Sequence, residues 1–365
     1  MKKRENGLDL LRLIAAFCVV MIHNVGAYKT LYENAAESSE NFVPDFTVWV
    51  TAFVRAQNWA VPAFFLISGA FVLSSGKTAD FGAFYKNTKI KLGRPTLIFT
   101  LIYFIAIPIS NYLSSPSYGL GALFFYEFMT TLTGKPADHM WYMFTLIGMY
   151  LCAPFIKTGK DKLGAKGFAK VSIAAYIWGT VSLLLQPHEY FWNIGLVTGL
   201  LGLFMLGNVI HEKIGEKKDN KLAALMLLLG VLSTVAVTIV YVHKKLLGDC
   251  PKLVEAVFGK LDSSNPLISL GGMAFFAAFR LLDIKKDFFR PAEWTFYVYL
   301  IHPLVMILMN FVTTPLFGLP YSVFGKPVSI AVMFVQGIVC FAISMIASMI
   351  IVNVKNKKKS AANAA

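Results

Sequence analysis

The sequence predicts an all-α polytopic membrane protein with about ten transmembrane helices around a polar cavity. Of its 365 residues, 56% are hydrophobic and 15% are charged, whereas a soluble domain has about 25% charged residues. Apolar runs of about 20 residues recur along the chain, and each is long enough to cross a hydrocarbon core of ~30 Å. These runs do not alternate apolar with polar residues, which argues against a β-barrel.

The apolar runs define the predicted domain organisation. Residues 1–354 are interpreted as one transmembrane domain and residues 355–365 as a basic, disordered tail. The segment 119–134 is apolar but shorter than a normal span, so it is interpreted as an interfacial or re-entrant helix. The ten predicted spans are residues 8–28, 47–75, 95–113, 139–156, 168–186, 191–211, 221–242, 264–282, 293–313 and 327–353.

The charge distribution predicts the orientation of these spans. The net charge is +14, and about three quarters of the Lys and Arg residues fall on the side of the N-terminus, which places both termini in the cytoplasm. We interpret the excess of basic residues as a signal that orients the protein in the membrane, with some attraction to anionic lipids. We expect no nucleic acid partner. The four cysteines show no metal-ligand spacing, so no metal is expected.

The first span contains three ionisable residues, Asp9, Arg12 and His23. A charged side chain near the bilayer centre costs at least ~2.5–3.5 kcal/mol, so the presence of these residues in a span requires an explanation. Arg12 and His23 are eleven residues apart, which places them on one helix face about 16 Å apart along the axis. Asp9 lies one turn before Arg12 and can pair with it. The three residues indicate either a catalytic stripe, in which the imidazole transfers protons, or an ion pair and an interhelical hydrogen bond.

A basic segment, "FYKNTKIKLGRP", precedes the third predicted span. Lys89, Lys91 and Arg94 in this segment are suited to hold a phosphate-bearing ligand. The alternative is that they only fix the orientation of the span.

Several polar residues near the outer side or within later spans are candidates for lining the polar cavity. Ser68 lies in "VPAFFLISGAFVL", where a Ser-Gly pair also suits tight helix packing. His139 and Trp141 begin the fourth span, and Trp is a common anchor at the membrane interface. Tyr299 and His302 lie inside the ninth span, where a polar core contact is the alternative. His188, His211 and His243 are predicted to lie in loops and receive no role.

These segments together resemble the membrane acyltransferase family 3, the bacterial inner-membrane O-acyltransferases of surface glycans. The resemblance rests on Arg12 and His23 in an Arg-x10-His pattern and extends over nearly the whole chain. It continues through four further segments, which are "VPAFFLISGAFVL", "DHMWYMFTLIGMYLCAP", "LGLFMLGNVI" and "TFYVYLIHPL". The family's Arg-x-x-Arg-like basic pair is matched only approximately, by Lys91 or Arg94 in a Lys-rich stretch.

The resemblance implies an acyl-CoA donor, most often acetyl-CoA, that is supplied from the cytoplasm. It also implies a glycan or lipid-linked saccharide acceptor and a location in the inner membrane. His23 would act either as general base on the acceptor hydroxyl or as a transient carrier of the acyl group. Two other functions remain open: a glycan exporter or flippase of similar architecture, and an enzyme that modifies a peptide or amino acid precursor.

Overall fold

The protein is all-helical. The computed structural model describes residues 5–36, 45–114, 119–133, 137, 139–184, 189–247, 254, 261, 263, 265–317 and 327–364. Over these residues 91% of the structure is helical and no strand is present. The predicted all-α membrane class is therefore confirmed.

Twelve α-helices follow one another in the described part of the chain. Two 3-10 turns, Gln57–Trp59 and Gly76–Ala79, and one π-helical turn, Lys89–Gly93, lie among them. The helices are α1 (Asn6–Ala36), α2 (Asp45–Ala56), α3 (Ala60–Leu73), α4 (Phe81–Thr88), α5 (Arg94–Ser114), α6 (Leu120–Leu132), α7 (Trp141–Leu184), α8 (Glu189–Ile214), α9 (Asn220–Leu247), α10 (Pro266–Leu281), α11 (Phe289–Phe317) and α12 (Pro327–Ala364).

Six stretches among the described residues are long and apolar enough to cross a membrane, so the count of ten spans is not confirmed. The fourth and fifth predicted spans fall in the two helical parts of α7, which meet at Gly164, where the backbone is not helical and φ is 68°. Helix α12 continues to Ala364, into the segment that was predicted to be a tail. The six candidate spans are Asn6–Gly26, Val48–Leu73, Phe81–Leu113, Asn220–Leu246, Phe289–Phe311 and Ala331–Lys357.

The chain divides into two compact units. The first unit comprises Met1–Ala70 and Ser172–Ala365, and the second comprises Phe71–Val171. In the first unit, α1 packs against α2, α10, α11 and α12. Met21 and Val25 of α1 form a buried cluster with Val54 and Met333. Helix α1 is therefore held on several sides by other helices of this unit.

Glycines allow two helices of the first unit to approach at backbone distance. A Cβ at Gly69 of α3 would collide with the carbonyl oxygen of Phe204, and one at Gly207 of α8 would collide with that of Leu66. Both glycines lie in segments that carry the family resemblance. Close packing of α3 against α8 therefore explains why a glycine stands at each of these two positions.

The second unit contains α4, the π-helical turn, α5, α6 and the first part of α7. Helix α6 corresponds to the segment predicted as interfacial or re-entrant. Its 13 residues span only about 20 Å, less than the hydrocarbon core. The apolar side chains of Phe125, Tyr126 and Phe128 are exposed, whereas Glu127 is buried.

Candidate active site

Helix α1 carries the predicted polar stripe. Arg12 donates from Nη1 to Asp9 Oδ1 at 2.7 Å, which confirms the predicted pairing of these two residues. The Asp9 side chain is 7% exposed and that of Arg12 is 27% exposed. The Asp9 carboxylate thus accepts from one nitrogen of the guanidinium.

Eleven residues further along α1, His23 meets His302 of α11. The centroids of the two imidazole rings are 5.1 Å apart, and the ring planes are inclined by 43°. His302 is fully buried and His23 is half-buried. The ring of Tyr299 also contacts His302, with centroids 5.9 Å apart. The structure therefore brings together three of the predicted site residues from two helices.

The environment of His302 is defined by the main chain of its own helix. Its Nδ1 lies 3.1 Å from the carbonyl oxygen of Val298, and the main chain of Tyr299 also hydrogen-bonds the ring. Pro303 has no N–H, so the Tyr299 carbonyl lacks the helical donor that another residue at 303 would supply. The His-Pro pair thus leaves backbone acceptors for the imidazole.

Helices α1, α11 and α12 are joined by polar contacts around the two histidines. Asn24, next to His23, donates to the carbonyl oxygen of Met333 at 2.7 Å. Gln336 donates to Asn310 Oδ1 at 3.0 Å, and the thiol of Cys340 lies 3.5 Å from the carbonyl oxygen of His302. These contacts fix the relative register of the three helices that carry the pair.

An ionic cluster at the N-terminal end of α1 was missed by the sequence analysis. Glu5 Oε1 lies 2.7 Å from His211 Nε2, and Glu5 Oε2 lies 3.3 Å from Arg280 Nε. Arg280 also donates to the carbonyl oxygen of Gly215, and Lys218 donates to that of Arg280 at 2.8 Å. The cluster ties α1 to α8 and α10.

The cluster stabilises the charged form of Glu5. Burial alone would raise the pKa of Glu5, but the hydrogen bond with His211 and the charges of His211, Arg280 and Lys218 outweigh burial and lower it. The interpretation of His211 as a loop residue is wrong, because it lies in the last turn of α8. His243 was likewise placed in a loop but lies in α9, while His188 lies outside the described residues.

The predicted phosphate-binding residues lie at the π-helical turn of the second unit. Lys89, Lys91 and Arg94 are all exposed, whereas Leu92 between them is buried. The N–H of Arg94 bonds the carbonyl of Lys89, which is the five-residue spacing of a π-turn. In an α-helix, residues five apart point about 140° away from each other. The wider π-turn makes this angle between the positions of Lys89 and Arg94 smaller.

His139 and Trp141 also belong to the second unit. His139 is buried and meets the ring of Tyr103 edge-on, with centroids 4.9 Å apart. Trp141 is half-buried at the start of α7. Glu127 of α6 is a further buried ionisable residue of this unit, and the sequence analysis gave it no role.

Ser68 of α3 is half-buried in the first unit. Its neighbour Gly69 makes the close contact with α8, so the Ser-Gly pair serves helix packing at this position. Within the described residues no group of three or more His, Cys, Asp and Glu side chains is placed to hold a metal ion.

The comparisons with known proteins agree with the resemblance seen in the sequence. The acyltransferase domain model of acyltransferase family 3 matches residues 5–353, which is nearly the whole chain. No curated protein and no solved structure matches the sequence significantly. Because the family model covers far more than half of the residues, the chain belongs to acyltransferase family 3.

Proposed function

We propose that this membrane acyltransferase moves an acyl group, most simply acetyl, from acyl-CoA to a hydroxyl of a cell-surface or lipid-linked glycan. The observation that carries the proposal is the contact between His23 and His302 on packed membrane helices. Ionisable residues inside spans are costly, so they mark functional sites more often than structural ones. Two adjoining imidazoles supply the proton transfer that an acyl transfer to a hydroxyl requires.

His23 is the general base in this mechanism. It takes the proton of the acceptor hydroxyl while the hydroxyl oxygen attacks the thioester carbonyl carbon. The carbon–sulfur bond then breaks, and the CoA thiolate leaves and takes the proton from the His23 imidazolium. Direct transfer needs one site and no acyl-imidazole, so it is the simpler of the two mechanisms. His23 is assigned the role of base because it is half-buried, whereas His302 is fully buried.

Cations in each of the two units are proposed to bind anions. In the first unit the Arg12 side chain is 27% exposed beside Asp9, and its planar fork is suited to hold an anionic part of the site. In the second unit Lys89, Lys91 and Arg94, all exposed at the π-turn, are proposed to bind the phosphates of CoA. A π-turn inside a helix is frequently found at a functional site.

Tyr299 and His302 are proposed to lie beside the acceptor in the first unit, with Ser68 in a lesser role. His139 and Trp141 of the second unit stay predictions from the sequence.

Both termini are proposed to lie in the cytoplasm of a bacterial cell, with the protein in the inner membrane. Labelling tests this topology. Cys250 lies outside the described residues, in a segment predicted to be external, and the exposed Cys152 can be replaced by Ser. In intact cells an impermeant thiol reagent should then label Cys250, and its protection despite an accessible loop would contradict the topology.

Acyl transfer is tested with purified protein. Radiolabelled acetyl-CoA and a lipid-linked saccharide fraction are supplied, and both free CoA thiol and labelled saccharide are measured. Transfer predicts equal amounts of the two products, and His23→Ala should lower the rate of both by ~10²–10⁴-fold. Translocation of the saccharide in vesicles without any thiol release would instead identify an exporter or flippase.

A further inference from the structure

We infer that Asn310 and Gln336 form a site that binds the part of the glycan acceptor beyond the sugar that is acylated. The inference rests on the proposed function, because it assigns a second contact to the same acceptor. Its evidence is the position of the two amides on helices that surround the histidine pair, their different burial and the direction of the hydrogen bond between them.

The two amides lie further along the helices that meet at His302. Gln336 of α12 contacts Asn310 of α11, and Cys340, one turn later in α12, contacts the carbonyl oxygen of His302. This reversed order means that α11 and α12 are antiparallel. Asn310 lies about 12 Å beyond His302 along the axis of α11. It is the last residue but one of the candidate span Phe289–Phe311, so the amide pair lies where this span ends.

The two amides differ in burial. Gln336 is buried, whereas Asn310 is exposed. A polar pair that only held α11 and α12 together would have both amides between the helices, away from lipid. An amide is costly to place in hydrocarbon unless it is hydrogen-bonded. The exposed part of Asn310 therefore requires a polar environment, which is water or a bound polar ligand.

The hydrogen bond determines which part of the Asn310 amide faces a ligand. Gln336 donates from Nε2 to Asn310 Oδ1 at 3.0 Å, so the oxygen of Asn310 is directed toward α12. The Nδ2 atom of Asn310, on the other branch of the amide, carries two N–H donors. Hydroxyl and ring oxygens of a saccharide accept from such donors. Gln336 is thus the positioning residue of the site, and Asn310 is the residue that contacts the ligand.

The separation from the histidine pair defines the size of the ligand. His23 lies beside His302, and a distance of about 12 Å along α11 is longer than one sugar ring. One sugar cannot contact both His23 and Asn310. When a hydroxyl of one sugar is at His23, Asn310 contacts another sugar of the same chain. The site therefore favours an oligosaccharide over a monosaccharide.

The first measurement is acyl transfer to the lipid-linked saccharide fraction. Asn310→Ala and Gln336→Leu should each raise the KM for the saccharide roughly three- to tenfold, as expected for the loss of one or two hydrogen bonds. The kcat and the KM for acetyl-CoA should stay close to wild type, because the imidazole pair is unchanged. Leu308→Ala is the matched control, since Leu308 is also exposed but points to a different side of α11. It should leave all three constants unchanged.

The second measurement does not depend on acyl transfer. Asn310→Cys and Leu308→Cys are made in a protein whose Cys152 and Cys250 are replaced by Ser, and both are treated with a charged maleimide without acetyl-CoA. The Asn310→Cys protein should react, and the lipid-linked saccharide fraction should protect it, whereas phospholipid from the same membranes should not. The Leu308→Cys protein should react slowly, because its new thiol faces lipid.

These outcomes separate the saccharide site from the proposed function. If the saccharide protects Asn310→Cys although the protein transfers no acyl group, the proposed function fails and the saccharide site stands. If Asn310→Ala or Gln336→Leu keeps the wild-type KM for the saccharide, the site is wrong. It is also wrong if Asn310→Cys does not react with the maleimide, or reacts equally with and without the saccharide fraction.

Discussion

The N-terminal end of α1 and the region around His23 have different electrostatic surroundings. At its N-terminal end Glu5 meets His211 and Arg280, so opposite charges are in contact. Toward its other end His23 meets His302, and like groups are in contact. Opposite charges attract and hold helices together, whereas two charged imidazoles would repel each other.

This contrast indicates how one helix combines anchoring with chemistry. Because the ionic cluster fixes the N-terminal end of α1 against α8 and α10, the helix has a defined position along its axis. A neutral imidazole has a nitrogen lone pair that can accept a proton, which a carboxylate already paired with cations does not offer as readily. We therefore expect substitutions at the histidines to change turnover and substitutions at the cluster to change stability.

The largest effect on turnover is expected from His23→Ala. Removing the general base should lower kcat by ~10²–10⁴-fold. The loss of stability should be small, because an intramembrane hydrogen bond contributes on average only ~0.6 kcal/mol. The measurement is glycan acylation by purified variants, together with their thermal unfolding.

His243→Ala serves as the control for His23→Ala, because His243 is an exposed histidine of α9. It should keep wild-type turnover. If His23→Ala retains more than about a tenth of the wild-type rate, the general-base assignment is wrong, and His139 or His302 becomes the next candidate.

Arg12→Lys tests the residue that lies between the two ends. Lysine keeps the charge and can still pair with Asp9, so the protein should remain as stable as wild type. It lacks the planar fork, and losing one hydrogen bond between charged groups costs about 1.5–3 kcal/mol, so turnover should fall roughly ten- to hundredfold. Arg290→Lys, at an exposed position, should have no effect on turnover. Equal activity of Arg12→Lys and wild type would limit Arg12 to its ion pair.

The basic π-turn provides a third kind of charge, which is exposed at Lys89, Lys91 and Arg94. Replacing Lys89, Lys91 and Arg94 together with Gln should raise the apparent KM for acetyl-CoA about tenfold, since hydrogen bonds to charged groups contribute ~1.5–3 kcal/mol each and exposed ones less. The control replaces the same number of exposed cations in α7, which are Lys162, Lys166 and Lys170. If both triple variants have the same KM, the π-turn residues serve orientation alone.

Local sequence patterns predicted the features that depend on one helix. The class of the protein followed from apolar runs, and the Asp9–Arg12 pair followed from three-residue spacing. The number of spans was not confirmed, because only six stretches of the described residues are long and apolar enough to cross a membrane. Apolar run length alone does not determine where a long helix bends.

Contacts between distant helices were beyond the reach of the sequence. Glu5 and His211 are 206 residues apart in the chain, so spacing gives no signal for their pairing. His302 was identified as a candidate, but its contact with His23 required the packing of α1 on α11. The close contact of α3 and α8 could have been suspected, since small residues in a membrane helix often mark an interface.

The smallest effect on turnover is expected from Glu5→Gln, because Glu5 belongs to the anchoring end of α1. The ionic contacts with His211 and Arg280 are lost, and the free energy of unfolding should fall by roughly 1–3 kcal/mol near neutral pH. Turnover per folded molecule should change little, since the imidazole pair and Arg12 are intact. Glu293→Gln, which changes an exposed carboxylate of α11, should alter neither quantity.

The pH dependence of this difference tests the electrostatic origin of the effect. The pKa of Glu5 is lowered in the folded protein from its ordinary value of 4.5, so the folded state binds its proton less tightly than the unfolded state does. The stabilisation is therefore fully present above pH 4.5 and is lost as the pH falls through the lower pKa of the folded protein. The melting temperatures of wild type and Glu5→Gln should differ most near neutral pH, and the difference should disappear at acidic pH. A difference that stays constant down to acidic pH would show that packing, rather than the charge of Glu5, anchors α1.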